Sequence, residues 1–382
     1  MPIRATLAIP VILITALVAI FLIARPFDFL NKGAPPGESL AVERVQLDER
    51  GIHATIRASG AESVAIAQVQ VDGAYRAFSI TPDRPLGYLR SATIDIPYPW
   101  VTGETHHLTF VTSTGATFEH TVEVAVSTPG KGLGDLAGLA LVGLFVGFVP
   151  IVIGYGFYPA LDSFGDSGRE FAFSLTVGLL VFLLVDTIGE GLEAAQQAAA
   201  GFRAHLMVWL AAVLTALTLL AVGRRSGSPP EGASLALFIA IGIGAHNLGE
   251  GLAIGASFAT GEIALASFLI LGFALHNVTE GIAISAPIDR RAISLATLFW
   301  LAVIAGGPAI AGTMTGAFAF SPFWTALAFG IGAGAIIQVL VEICGAIFVR
   351  RPASAPWYSL ASLSGFVIGV AIMYATTFLV HG

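Results

Sequence analysis

LALFIAIGIGAHNLGEGLAIGASFAT, residues 235–260, and IALASFLILGFALHNVTEGIAIS, residues 263–285, decide how this chain is read. Each is apolar over the roughly 20 residues that a helix needs to cross a bilayer. Each is broken near its middle by one polar cluster: HNLGEG (His246–Gly251) and HNVTEG (His276–Gly281). An ionisable side chain at the centre of an apolar helix costs roughly 2.5–3.5 kcal/mol on insertion scales. A chain that bears that cost twice, at one spacing, is building a site for a cation.

Two weaker copies flank the pair. DTIGEG carries Asp186 and Glu190, and QVLVEI carries Gln338 and Glu342. In all four, a polar residue precedes a glutamate by four places, one helical turn. At about 100° per residue, with His246 at zero, Asn247 points to about 100° and Glu250 to about 40°. The carboxylate therefore lies between imidazole and amide, where two ions side by side could share it. His276, Asn277 and Glu280 repeat the arrangement. Imidazole with carboxylate suits first-row divalent ions better than calcium or magnesium.

Composition agrees with a polytopic membrane protein. Of 382 residues, 55% are hydrophobic and 11% charged, and the mean hydropathy is +0.83. The net charge of −7 offers no basic face, so no nucleic-acid partner is expected. One cysteine, Cys344, excludes an intrachain disulfide. Only Lys32 and Lys131 are lysines, and neither lies in a GxxxxGK[ST] loop, so the chain carries no phosphate loop for ATP. Transport, if that is the task, would then follow gradients unless another subunit supplies ATP.

Four regions follow from the pattern. Residues 1–30 hold an apolar run, Thr6 to Ala24, read as a transmembrane anchor or signal. Residues 31–38 (NKGAPPGE from Asn31) are a linker. Residues 39–130 alternate in short runs (HATIRA, VAIAQVQV, YRAFSI, SATIDI, HHLTFVT, FEHTVEVAV) separated by DERG, VDG and STG turns, which predicts a small all-β sandwich. Its histidines, His53, His106, His107 and His120, are expected at its surface. Residues 131–382 read as eight helices, starting near Leu136, Phe171, His205, Leu235, Ile263, Ser294, Phe323 and Leu360.

Arginine pairs give the orientation. Arg224–Arg225, Arg290–Arg291 and Arg350–Arg351 follow helices 3, 5 and 7, and Arg169 follows helix 1. The positive-inside rule puts them in the cytoplasm and the β domain and C-terminus outside. Asp186 and Glu190 then lie in the outer half of helix 2, the two HNxxEG clusters near mid-depth, and Gln338 and Glu342 in the inner half of helix 7.

At these residues the chain resembles the ZIP (Zrt/Irt-like) family of divalent metal-ion transporters. HNLGEG and HNVTEG are similar to the motifs of that family's fourth and fifth helices, and VDTIGEG (Val185–Gly191) to a segment of its second. The resemblance covers about residues 132–382. It implies an inverted 3+2+3 arrangement of eight helices and passage of zinc, iron or manganese ions into the cytoplasm. His246, Asn247, Glu250, His276, Asn277 and Glu280 would be the metal ligands, and Asp186 would serve the outer entrance. The ion is cargo, with no resident cofactor and no catalysis. A homodimer in the lipid of the plasma membrane is expected. The chain departs from the family where Gly249 and Thr279 replace motif prolines. Gly307 precedes Pro308 where many bacterial members carry an acid. The loop after helix 3 is short, and the β domain is not a usual part of the family.

Two other readings compete. An intramembrane metal-dependent hydrolase would use histidine, carboxylate and a metal-bound water, but no HExxH is present. A metal sensor would need an output domain, and every connector on the arginine side is short.

Overall fold

The computed structural model of the chain describes residues 37–130, 132–157, 165–225, 227, 230–260, 263–288, 294–319, 321–349 and 359–381. The expected N-terminal anchor lies outside the described residues, as do Arg290, Arg291, Arg350 and Arg351.

Eight strands come first: β1 (Leu40–Asp48), β2 (Gly51–Ala58), β3 (Ile66–Val71), β4 (Ala74–Arg76), β5 (Ser79–Thr81), β6 (Ser91–Ile96), β7 (His106–Thr112) and β8 (Thr117–Val122). They form two antiparallel four-stranded sheets, ordered β1-β2-β6-β5 and β4-β3-β7-β8. Alternate residues of each sheet face one shared apolar core, with Ile52, Ile56 and Ile94 from one and Val69, Leu108 and Phe110 from the other. The run YRAFSI divides between the sheets, as β4 and β5. The strand that the sequence pattern did not offer is β1. A bulge between Val42 and Arg44 breaks its alternation. Glu43, the residue left unpaired there, is buried and meets Arg57 on β2 at 2.6 and 3.0 Å. One expectation is corrected here: His106 is not at the surface but 2% exposed. Its position in the alternation of β7 faces it inward, and its Nδ1 lies 2.9 Å from Asp72.

The helices are α1 (Leu133–Tyr155), α2 (Gly165–Gln197), α3 (Ala204–Gly223), α4 (Gly232–Thr260), α5 (Ile263–Ser285), α6 (Leu295–Ala319), α7 (Pro322–Val349) and α8 (Leu360–His381). All begin within two turns of the expected starts. Six are long and apolar enough to cross a membrane. That count is of the described residues, among which the apolar stretches of α5 and α8, Leu269–Ser285 and Leu360–Ala375, fall short of that length. On α3 the exposed face is Leu206, Trp209, Leu210, Val213, Leu214 and Leu217. An apolar face of that extent belongs in lipid, and it makes this a membrane protein.

Glycines set how the helices meet. α4 lies along α6, and a methyl group added at Gly251 would come within 2.3 Å of the Ala309 carbonyl and 3.0 Å of Gly312 Cα. One turn on, Gly255 meets Gly316 in the same way. The notch Gly251-xxx-Gly255 is thus a packing surface. α1 meets α5 through Gly154 and Gly281, again backbone on backbone. Elsewhere α2 lies against α7 and α8, α3 against α7, and α4 against α7, while α5 touches α2 and α8.

Three contacts join the β strands to helix ends. Arg44 donates to the carbonyls of Phe318 (2.8 Å) and Ala317 (2.7 Å), the free acceptors at the end of α6. Tyr88 donates to the Gly201 carbonyl (3.2 Å), in the link between α2 and α3. The Arg57 guanidinium sits 5.5 Å over the Phe202 ring in that same link.

Candidate metal centre

The two HNxxEG clusters meet where α4 crosses α5. His246, Asn247, Glu250, His276, Asn277 and Glu280 are all buried, and none is more than 6% exposed. Ligand atoms of His246, His276 and Glu280 converge within 4.8 Å of one another, a spacing that can hold one metal ion. Glu250 bridges the histidines, with Oε1 2.9 Å from His246 Nε2 and 2.5 Å from His276 Nε2.

The asparagines work across the helix pair. Asn247 Nδ2 donates to Glu280 Oε2 (3.3 Å), and Asn277 Nδ2 donates to Glu250 Oε2 (3.2 Å). Each amide also donates to a carbonyl in a proline-interrupted helix: Asn277 to Val146, four residues before Pro150, and Asn247 to Ala305, three before Pro308, both at 3.0 Å. Proline cannot donate to the turn before it, and α1 adds a π-type turn at Leu144–Phe148. These loosened turns present carbonyls to the two amides.

With their nitrogens so committed, the amide oxygens Asn247 Oδ1 and Asn277 Oδ1 are buried and have no hydrogen-bond partner among the described residues. Neither has Glu280 Oε1. A buried acceptor without a partner costs about 1–3 kcal/mol. Three of them, beside two imidazoles, form a set of hard oxygen donors whose chemistry fits a divalent cation. A cavity of about 10 Å³ opens beside them, lined by His276, Thr279 and Glu280 with apolar residues of α2 and α8. Gly249 packs against Phe329, where a methyl group would come within 2.9 Å of the ring, and the Thr279 hydroxyl donates to the His276 carbonyl.

One functional residue escaped the sequence reading. Thr187, fully buried on α2, gives its hydroxyl hydrogen to the Leu183 carbonyl (2.6 Å), and its oxygen lies 3.0 Å from His246 Nδ1. The oxygen therefore accepts Nδ1–H, which leaves Nε2 as the nitrogen that faces the site. The available signal was its place inside DTIGEG, beside Asp186.

Of the flanking copies, DTIGEG reaches the centre through Thr187. Asp186 and Glu190 are half-buried on α2. Gln338 and Glu342 are fully buried on α7. Both side-chain polar atoms of Gln338 are unpartnered among the described residues, as is Glu342 Oε2. Glu342 Oε1 instead accepts from Arg224 Nε at 3.1 Å, an ion pair between α7 and the end of α3. Gly307, the position of the missing acid, has only Val303 Cγ1 near where a side chain would begin.

No family model matches the chain, and no curated protein matches it.

Proposed function

We propose that the protein is a secondary transporter that moves divalent transition-metal ions, zinc foremost, through the membrane at the α4–α5 centre, as its likeness to the ZIP family implies. The observation that carries this reading is the convergence of His246, His276 and Glu280 within 4.8 Å, buried inside apolar helices. A resident structural metal would need no polar steps elsewhere, whereas here half-buried acids on α2 and a buried one on α7 continue the polar set.

The inverted repeat has its own support. Exchanging α1 with α6, α2 with α7, α3 with α8 and α4 with α5 turns the main neighbour pairs into one another. The pair α4–α6 becomes α5–α1, α2–α8 becomes α7–α3, and α4–α7 becomes α5–α2. The exchange also carries Asn247, Gly251, Pro308 and Gly312 onto Asn277, Gly281, Pro150 and Gly154. Parity supports eight crossings. The β strands touch the chain after α2 and after α6, each an even number of helices away. The Arg224–Arg225 connector follows three helices and so falls on the opposite side.

Cargo binding displaces protons. Each imidazole Nε2 shares a hydrogen bond with Glu250 Oε1, so protons lie between the ligand atoms. An ion that takes both Nε2 lone pairs must expel them, because only neutral imidazole and ionised carboxylate are ligands. Uptake should therefore fall as the medium is acidified. Asn247 and Asn277 hold the carboxylates in place and turn their free oxygens toward the ion.

The test is uptake of zinc into liposomes that contain the purified protein and an internal fluorescent metal indicator. Glu250→Ala and Glu280→Ala should each abolish uptake, and Glu193→Ala, an exposed acid on α2, should leave it intact. Wild-type rates in both central variants would sink the reading.

A further inference from the structure

A cavity of about 520 Å³ opens on the β strands, between Arg57 on β2 and the loop that runs from Pro82 to Ser91. Its lining includes Arg57, Arg84, Arg90 and Ser91 and no acidic residue. The three arginines are not equivalent. Arg57 is committed: Glu43 takes two of its N–H groups and the Leu89 carbonyl a third, at 2.8 Å. Arg84 and Arg90 are exposed and have no carboxylate partner among the described residues. The cavity therefore carries two arginines with no carboxylate bonded to them among the described residues, over a floor already paired with Glu43.

The loop that shapes it is held in an unfavourable conformation. Leu89 has φ +57, in the left-handed region that costs a branched side chain about 1 kcal/mol or more. Hydrogen bonds fix it there, from its own N–H to the Ala58 carbonyl (2.8 Å) and from Arg57 to its carbonyl. Strain that the surroundings maintain is a mark of functional loops.

Position says which anion would meet this cavity. Arg57, at its floor, stacks on Phe202, and Tyr88, on the same loop, bonds to Gly201. Those two residues lie where candidate span Glu170–Gln197 ends and the next begins. The cavity is thus at the level where helices leave the membrane, next to a half-exposed tyrosine of the kind that settles among headgroups.

We propose that this pocket binds a phosphate-bearing anion through Arg84 and Arg90, as the phosphodiester of an anionic lipid headgroup or as a soluble phosphate. Paired guanidinium groups match phosphate oxygens in geometry as well as charge. The proposal is independent of what passes through the helices.

It is tested on the full-length protein in detergent by thermal unfolding, with short-chain phosphatidylglycerol, short-chain phosphatidylcholine or inorganic phosphate added. Phosphatidylglycerol should raise the unfolding midpoint saturably. The Arg84→Gln/Arg90→Gln variant should need at least tenfold more of it, and Arg50→Gln, an exposed arginine elsewhere on these strands, should behave as wild type. Saturation by phosphatidylglycerol alone assigns the lipid headgroup. Equal saturation by inorganic phosphate assigns the soluble anion. If the double variant unfolds before any addition, each single variant is measured instead. Identical responses of wild type and arginine variants to every anion overturn the pocket.

Discussion

Thr187 is the residue whose removal says most about the centre. Its oxygen accepts the Nδ1–H of His246 and thereby orients the imidazole. Groups that orient a metal-bound histidine typically contribute 10–100-fold to affinity. Thr187→Val keeps the volume and loses the acceptor, so the zinc concentration for half-maximal uptake should rise about 10-fold or more. The maximal rate should change less. An unchanged concentration dependence would mean that Glu250 alone orients the ring. The HNxxEG clusters were legible in the sequence because an ionisable pair inside an apolar run costs too much to stand there without a task. Thr187 was not, because a threonine in a helix usually just bonds back to its own turn, as this one also does with Leu183. Angular reasoning along one helix placed Asn247 beside Glu250. It could not foresee that Asn247 reaches Glu280 and Asn277 reaches Glu250, since those partners belong to the facing helix.

Among the elements, the glycine seam between α4 and α6 has no room for a single methyl group. Gly251→Ala would drive its Cβ into the Ala309 carbonyl and Gly312, and should destabilise the protein by about 1–3 kcal/mol. Gly189→Ala, two residues before the last glycine of DTIGEG, meets nothing within 4 Å. It should be neutral or stabilising by about 0.5–1 kcal/mol through helix propensity. Thermal unfolding in detergent separates the two, and equal effects would refute the close packing. The β strands carry a pH signature of their own. Burial alone would lower the His53 imidazole, but hydrogen bonds to Asp95 (2.6 Å) and Asp48 (2.9 Å) outweigh it and raise the group above its ordinary 6.5. Burial would raise Asp48, yet bonds from His53 and Arg50 hold it well below its ordinary 3.8. A raised histidine stabilises fully below about 6.5 and loses that contribution as pH climbs through its folded value. A depressed aspartate stabilises above about 3.8 and loses it in stronger acid. The stability gap between wild type and His53→Gln should therefore be widest between roughly pH 4 and 6.5 and shrink above that. A gap that grows with rising pH would contradict the assignment. The strand pattern was legible where alternation was regular, as in β2 and β6. It was lost in β1, where the bulge puts Glu43 and Arg44 out of step.

On the scale of the whole molecule, the β strands and the helices from Glu38 onward form one compact unit. Arg44 is part of the reason. It sits at the carboxyl end of α6, where the helix dipole favours a cation and unpaired carbonyls need donors. Arg44→Ala should cost about 2 kcal/mol and speed amide hydrogen exchange at the end of α6, from which the missing donor was withdrawn. Unchanged exchange there would mean that lipid or water replaces it without loss. Composition made the division into a β part and a helical part plain, because alternation gives way to continuous apolar runs near residue 131. It held no trace of how the parts are joined, since one arginine in an ordinary strand is indistinguishable from a solvated one.

That joint has a consequence in time. Arg44 and its two acceptors are 273 and 274 residues apart in the chain. At roughly 5–20 residues per second of synthesis, on the order of 15–55 s separates the appearance of the donor from that of its partners. The strands have their own core and can close early, so through that interval a finished sandwich waits beside a half-built bundle with Arg44 facing water. Docking then becomes a late event in biogenesis. It requires that the end of α6 come to lie on the same side as the strands.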